Sequence, residues 1–171
     1  MSIALSEQEI QRRESLKQLR ALGIDPYPAE AYPVNAWANE ITENFTAEPD
    51  KYKQVVIAGR IMTRRIMGSA SFFELQDSTG RIQVYIKRDD ICPDEDKTLY
   101  NTVFKKLLDI GDYVGIKGYA FLTQTGELSI HTQELTILSK SLKPLPVVKR
   151  EDDGTIHDGF TDPELRYRQR Y

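Results

Sequence analysis

Phe72, Gln83 and the cations around them are the residues of this 171-residue chain best equipped for chemistry. In a strand, successive side chains alternate between two faces. In 81–88, Ile82, Val84 and Ile86 point one way, so Arg81, Gln83, Tyr85 and Lys87 point the other. In 70–77, Phe73 and Leu75 go with Ser71, while Phe72 falls with Glu74 and Gln76 on the polar face. The run from residue 54 to 65 buries Val55, Ile57 and Ile61 and presents Arg60, Met62 and Arg64. Arg65 lies at its end, where a bulge turns it to either face. From Lys53 to Arg88 there are seven basic and two acidic residues, a local net charge of +5, so the rest of the chain carries −8 within a total of −3. Cations attract phosphates, a ring stacks on a base and an amide bonds a base edge, which is the equipment of single-stranded nucleic-acid recognition. A lone outward ring or amide is ordinary surface. Their placement on adjacent strands of one face is what points to binding.

Catalytic patterns are weak by comparison. Gly115 and Gly118 sit inside a strand pattern, without the strand-to-helix context of a phosphate loop. His131 alternates outward in 128–131, which suits solvated or hydrogen-bonded surface. Cys92 precedes Pro93 with only Lys87 and Arg88 as nearby cations, little to activate a thiol. One cysteine and two histidines, His131 and His157, supply neither a four-ligand zinc site nor an internal disulfide. No catalytic and no metal residue is therefore assigned, and a reducing cytosol is the simplest setting. The N-terminus turns polar after Leu5, unlike a signal peptide or membrane span.

The elements that must position these residues follow from punctuation and period. Ser6 with Glu9 is a capping box, and helix is expected from Ser6 to Leu22, ended by Gly23. Its apolar stripe is narrow, and Arg13, Lys17 and Arg20 recur on an adjoining face. It suits a solvated helix leaning on the domain, or a basic helix touching a phosphate backbone. Pro26, Pro28 and Pro33 make an extended connector, and a second helix is expected over about 35–45. Five strand-like runs follow, 54–65, 70–77, 81–88, 113–123 and 127–138, with a helix over 94–108. Short turns at 68–69, 78–80 and 125–126 join them. The order β, β, β, α, β, β predicts a mainly β, five-stranded Greek-key barrel of the OB type, against another small antiparallel barrel or sandwich. Pro144, Pro146 and the acidic loop 151–154 have linker composition. A helix start at Asp162-Pro163-Glu164 follows, and that unfinished helix suggests truncation of a longer polypeptide. The organisation expected is a helical extension over 1–52, the barrel over 53–142, and a linker with the start of a further domain over 143–171.

The stretches RIMTRRIMGSASFFELQDSTGRIQVYI (60–86), RRESLKQLRALGIDPYP (12–28), LTQTGELSIH (122–131) and LRYRQRY (165–171) resemble the N-terminal part of bacterial class II lysyl-tRNA synthetases. The resemblance implies a barrel that binds the anticodon loop of tRNA(Lys), in a cytoplasmic, homodimeric ligase that uses ATP and Mg²⁺. It implies that Phe72 stacks on the central anticodon uridine and that Gln83 reads its edge. Arg64, Arg65 or both match the anticodon-contacting arginine, and Glu127 matches a glutamate touching another anticodon base. The ATP-binding motifs of class II enzymes have no match here, so the implied object is an anticodon-binding fragment without a catalytic site, cofactor-free by itself. Aspartyl- and asparaginyl-tRNA synthetases share the barrel, but the long helix before GIDPYP favours the lysine enzyme. A free-standing single-stranded nucleic-acid module is the other alternative.

Overall fold

The computed structural model describes residues 5–145 and a short antiparallel pair, Lys149–Arg150 with Ile156–His157. The expected helix start at Asp162 and the stretch LRYRQRY lie outside the described residues. Five strands, β1 (Val55–Met67), β2 (Ala70–Gln76), β3 (Arg81–Lys87), β4 (Tyr113–Leu122) and β5 (Leu128–Ser139), close into a barrel in the order β1-β2-β3-β5-β4. Neighbours are antiparallel except β3 and β5, which run parallel. This is the five-stranded barrel expected of the OB type. Alternation fills its interior with Val55, Ile57, Ile61, Phe73, Leu75, Ile82, Val84 and Ile86, all buried. The Phe73 ring meets Phe104, which closes one end of the barrel.

Helix α1 (Glu7–Ala21) starts at the Ser6/Glu9 capping box and ends before Gly23, whose φ of 76° suits glycine. It packs along the helix between β3 and β4 and contributes one residue, Leu19, to the core. Its buried residues are Arg12, Ser15 and Leu19, while Arg13, Lys17 and Arg20 stay exposed. Arg12 donates to the carbonyls of Ile110 (2.8 Å) and Ser141 (3.1 Å), tying the helix to the open end of the β4–β5 pair, where β4 begins and β5 ends. Beneath it, fully buried Lys140 pairs with Asp112 at 2.8 Å and Asp109 at 2.5 Å. Burial pushes the Asp112 carboxyl up against the opposing pull of Lys140.

Two helices depart from expectation. Helix α2 spans only Ala38–Asn44 because Asn35 is committed to β1: its N–H donates to the Val56 carbonyl, and its Oδ1 accepts from the Val56 N–H. The cap comes from the β2–β3 turn, where Asp77 accepts from the Ala38 N–H at 2.7 Å. Between β3 and β4, a short α3 (Arg88–Ile91) comes first, and the helix expected from 94 starts later, after a turn in which Asp96 accepts from the Thr98 N–H. Helix then runs over Leu99–Leu107 with π-type bonding.

Candidate nucleic-acid interface

On β1, residues 61 and 63 pair with consecutive residues of β2, Ile61 with Leu75 and Thr63 with Glu74, so Met62 is an extra residue and the ladder bulges. The bulge reverses the alternation that placed Arg64 outward. Arg64 pairs with buried Phe73 and turns toward the barrel end, donating to the carbonyls of Phe104 (2.7 Å) and Leu108 (2.6 Å). These carbonyls lie at the C-terminal end of the π-helix, where a cation offsets the helix dipole. Burial pulls this guanidinium below its ordinary value, against Asp109 and Asp112. Arg65 instead pairs with Phe72, is exposed, and faces the same side as that ring.

The barrel carries its outward residues in two lateral rows. Register places Arg65, Phe72, Tyr85, His131 and Tyr119 side by side across all five strands, and Thr63, Glu74, Gln83, Ser129 and Phe121 in the next row. In the first row the ring centroids follow at 5.0 Å (Phe72–Tyr85), 5.1 Å (Tyr85–His131) and 4.8 Å (His131–Tyr119), the last pair stacked. Phe121 of the second row stands 6.0 Å from Tyr85. These spacings are those of favourable aromatic pairs, so the rings hold one another in place. His131 Nε2 and Asp90 Oδ2 lie 2.6 Å apart, which anchors the imidazole from below. Gln83 Nε2 donates to Ser129 Oγ at 2.8 Å.

Over these rows opens a groove of about 890 Å³. Four of the five expected site residues line it: Arg65, Phe72, Gln83 and Glu127. Phe72 and Gln83 are half-buried and Glu127 is exposed on the β4–β5 hairpin. Arg64 is not among the lining residues. The expected concentration of positive charge is also not assembled here, since Arg65 alone of the seven basic residues in 53–88 lines the groove. Lys53 pairs with Asp50, Arg81 with Glu74 and Arg88 with Asp89, while Arg60 lies over the Tyr113 ring. The surface is thus mainly aromatic and amide in character, with one exposed guanidinium at its edge.

Sequence reasoning left out Phe121, His131 and Ser129. Alternation on β4 already puts Tyr119 with Phe121, and the strand order of a Greek-key barrel puts β5 between β3 and β4, which carries His131 to Tyr85. Gly115 and Gly118 have structural reasons. A β-carbon at Gly115 would overlap the Tyr32 ring, and one at Gly118 the His131 carbonyl. Among the described residues no group of three or more His, Cys, Asp and Glu side chains converges as a metal requires, and no helix is long and apolar enough to cross a membrane.

Residues 55–138 match the family described as OB-fold nucleic acid binding domain. Over 170 residues the chain is 66% identical to a lysine–tRNA ligase of Porphyromonas gingivalis, covering 99% of this chain and 29% of that protein. A lysine–tRNA ligase of Azobacteroides pseudotrichonymphae is 60% identical over 98% of this chain and 33% of its own length. One of Christiangramia forsetii is 56% identical over 98% and 29%. The chain therefore spans about a third or less of the length of these relatives.

Proposed function

We propose that this chain, whose residues 55–138 match the family described as OB-fold nucleic acid binding domain, is the anticodon-binding part of a lysine–tRNA ligase and takes the anticodon loop of tRNA(Lys) into the groove lined by β1, β2, β3 and the β4–β5 hairpin. In this reading the central uridine lies against Phe72, whose far side is braced by Tyr85. Gln83 meets the edge of that base, Arg65 its phosphate neighbourhood, and Glu127 a second anticodon base. Arg64 is left out of the contact set because its guanidinium is spent on the π-helix carbonyls. The activity of the longer protein belongs to the same proposal: lysine joined to tRNA with ATP and Mg²⁺, by a cytoplasmic homodimer, with this region selecting the tRNA.

The observation that supports the reading is the convergence of Arg65, Phe72, Gln83 and Glu127, from three strands and a hairpin, on one groove. The mechanism is recognition only. The rings give a nucleobase an apolar face at modest entropic cost, because the row is packed before RNA arrives. The amide and carboxylate then discriminate among bases by their donor and acceptor edges. Fluorescence anisotropy with a labelled lysine-anticodon stem-loop tests it. Phe72→Ala should weaken binding by about 1–3 kcal/mol while the circular dichroism spectrum is unchanged. Equal binding by the parent and this variant would sink the assignment.

A further inference from the structure

Before any base enters the groove, the Gln83 amide is already engaged. Its Nε2 donates to Ser129 Oγ across the parallel β3–β5 ladder, where the two residues are direct partners. Ser129 is at 0% exposure, so water does not compete for that hydroxyl. A side-chain amide has an acceptor end and a donor end, and the end that faces a base decides which edge it prefers. With one Nε2–H turned onto Ser129, Oε1 is left as the acceptor that meets a ligand, beside the second Nε2–H. A carbonyl acceptor is satisfied by a ring N–H such as N3–H of uracil. Cytosine presents a bare acceptor nitrogen at the same place, so two acceptors would meet and one would go unsatisfied.

We infer that Ser129 is a positioning residue for base selection: it holds the Gln83 amide so that the groove prefers uracil to cytosine beside Phe72. The inference rests on the anticodon-binding reading above. It concerns Ser129 acting through Gln83, since a buried hydroxyl does not itself touch RNA.

The test uses two stem-loop RNAs that differ only in U or C at the central triplet position, with the parent chain, Ser129→Ala, Gln83→Ala and the double variant. The parent should prefer U by about tenfold, the scale of one hydrogen bond made or left unmade. Ser129→Ala should bring the ratio to within about threefold, and Gln83→Ala should do the same. If Ser129 works through Gln83, adding Ser129→Ala to Gln83→Ala changes the ratio no further. A ratio taken on one protein cancels any loss of folded fraction. Ser129→Cys, similar in size but a weak acceptor, serves the same purpose if the alanine variant does not fold. A parent-like ratio in the Ser129 variants, a further fall in the double variant, or a parent that prefers C would overturn the inference while leaving the anticodon reading standing. A parent that binds neither RNA, or a Gln83→Ala variant that keeps the preference for U, would overturn both.

Discussion

Arg65 stands directly opposite Phe72 across the β1–β2 ladder, whereas its neighbour Arg64 stands opposite buried Phe73. Two adjacent arginines are thereby given different work. One faces the ring on which a base would lie, and the other closes the carbonyl end of the helix that caps the barrel. Alternation divides the pair, and the extra residue at Met62, which shifts the phase by one position, decides that Arg65 and not Arg64 faces Phe72.

Substituting the two arginines separately should therefore split two readouts. Arg65→Ala should leave the unfolding midpoint unchanged and lower the magnitude of the salt slope of RNA binding by about 0.7, the loss of one phosphate contact to a single strand. Arg64→Ala should cost roughly 1.5–3 kcal/mol of stability, because two hydrogen bonds from a charged donor are lost. At temperatures where it is folded, its RNA affinity and salt slope should match the parent's. A crossed result, with Arg64→Ala changing the slope and Arg65→Ala the stability, would place the bulge elsewhere on β1.

The two phenylalanines are separated in the same way. Phe73 is 2% exposed and meets Phe104, so Phe73→Ala should destabilise the barrel by about 3–5 kcal/mol in urea unfolding. Phe72 is half-buried beside Tyr85, so its truncation should cost markedly less stability. Equal losses would mean that the faces of β2 are reversed.

The strands and their two faces were legible in the sequence because period-two alternation is a local property, and Ile82, Val84 and Ile86 against Gln83 and Tyr85 display it without ambiguity. The bulge was not legible to the same degree. Met62 and Thr63 tolerate either face, so periodicity carried straight through them put Arg64 outward and left Arg65 open. Half of the groove was missed for a different reason: Tyr85 and His131 meet through the parallel β3–β5 pairing, which is set by closure of the barrel and not by any repeat along the chain. Counting charges from 53 to 88 overstated the basic character of the groove. Asp50 and Asp89, close in sequence to Lys53 and Arg88, and Glu74, on the strand beside Arg81, take up those cations in ion pairs. Helix α2 was read too long because its cap is Asp77, far along the chain.

Asp77 also sets a pH dependence. Burial alone would raise its carboxyl, but donors from Ala38, Thr79 and Gly80 outweigh that, and the net shift is downward from the ordinary aspartate value. A carboxylate that binds its proton more weakly when folded contributes stability at pH values above its unfolded pKa. That contribution is lost as pH falls through the lowered folded value. Asp77→Asn, which does not titrate, should be less stable than the parent at pH 7, and the gap should close below about pH 4. A gap that stays constant from neutral pH into acid would show that the carboxylate is not the source.

Lys140 makes the last case, because it is buried at the junction of the barrel with the N-terminal connector. Its ammonium meets Asp112 and Asp109, its N–H donates to the Pro26 carbonyl, and its carbonyl accepts from the Tyr27 hydroxyl. Asp112 in turn accepts from the N–H groups of Asp109 and Ser141, so its oxygens are satisfied only while the junction is closed. Lys140→Met keeps the stem and removes the charge, leaving Asp112 buried without its partner. The expected cost is about 3–5 kcal/mol, well above that of a surface ion pair. Adding Asp112→Asn to Lys140→Met removes the uncompensated charge and should recover a large part of the loss, since the penalty lies in the orphaned carboxylate more than in the broken attraction. Urea unfolding of the two single variants and the double variant measures this coupling. Strictly additive losses would show that the pair is not a unit and that the junction is held by its backbone bonds alone.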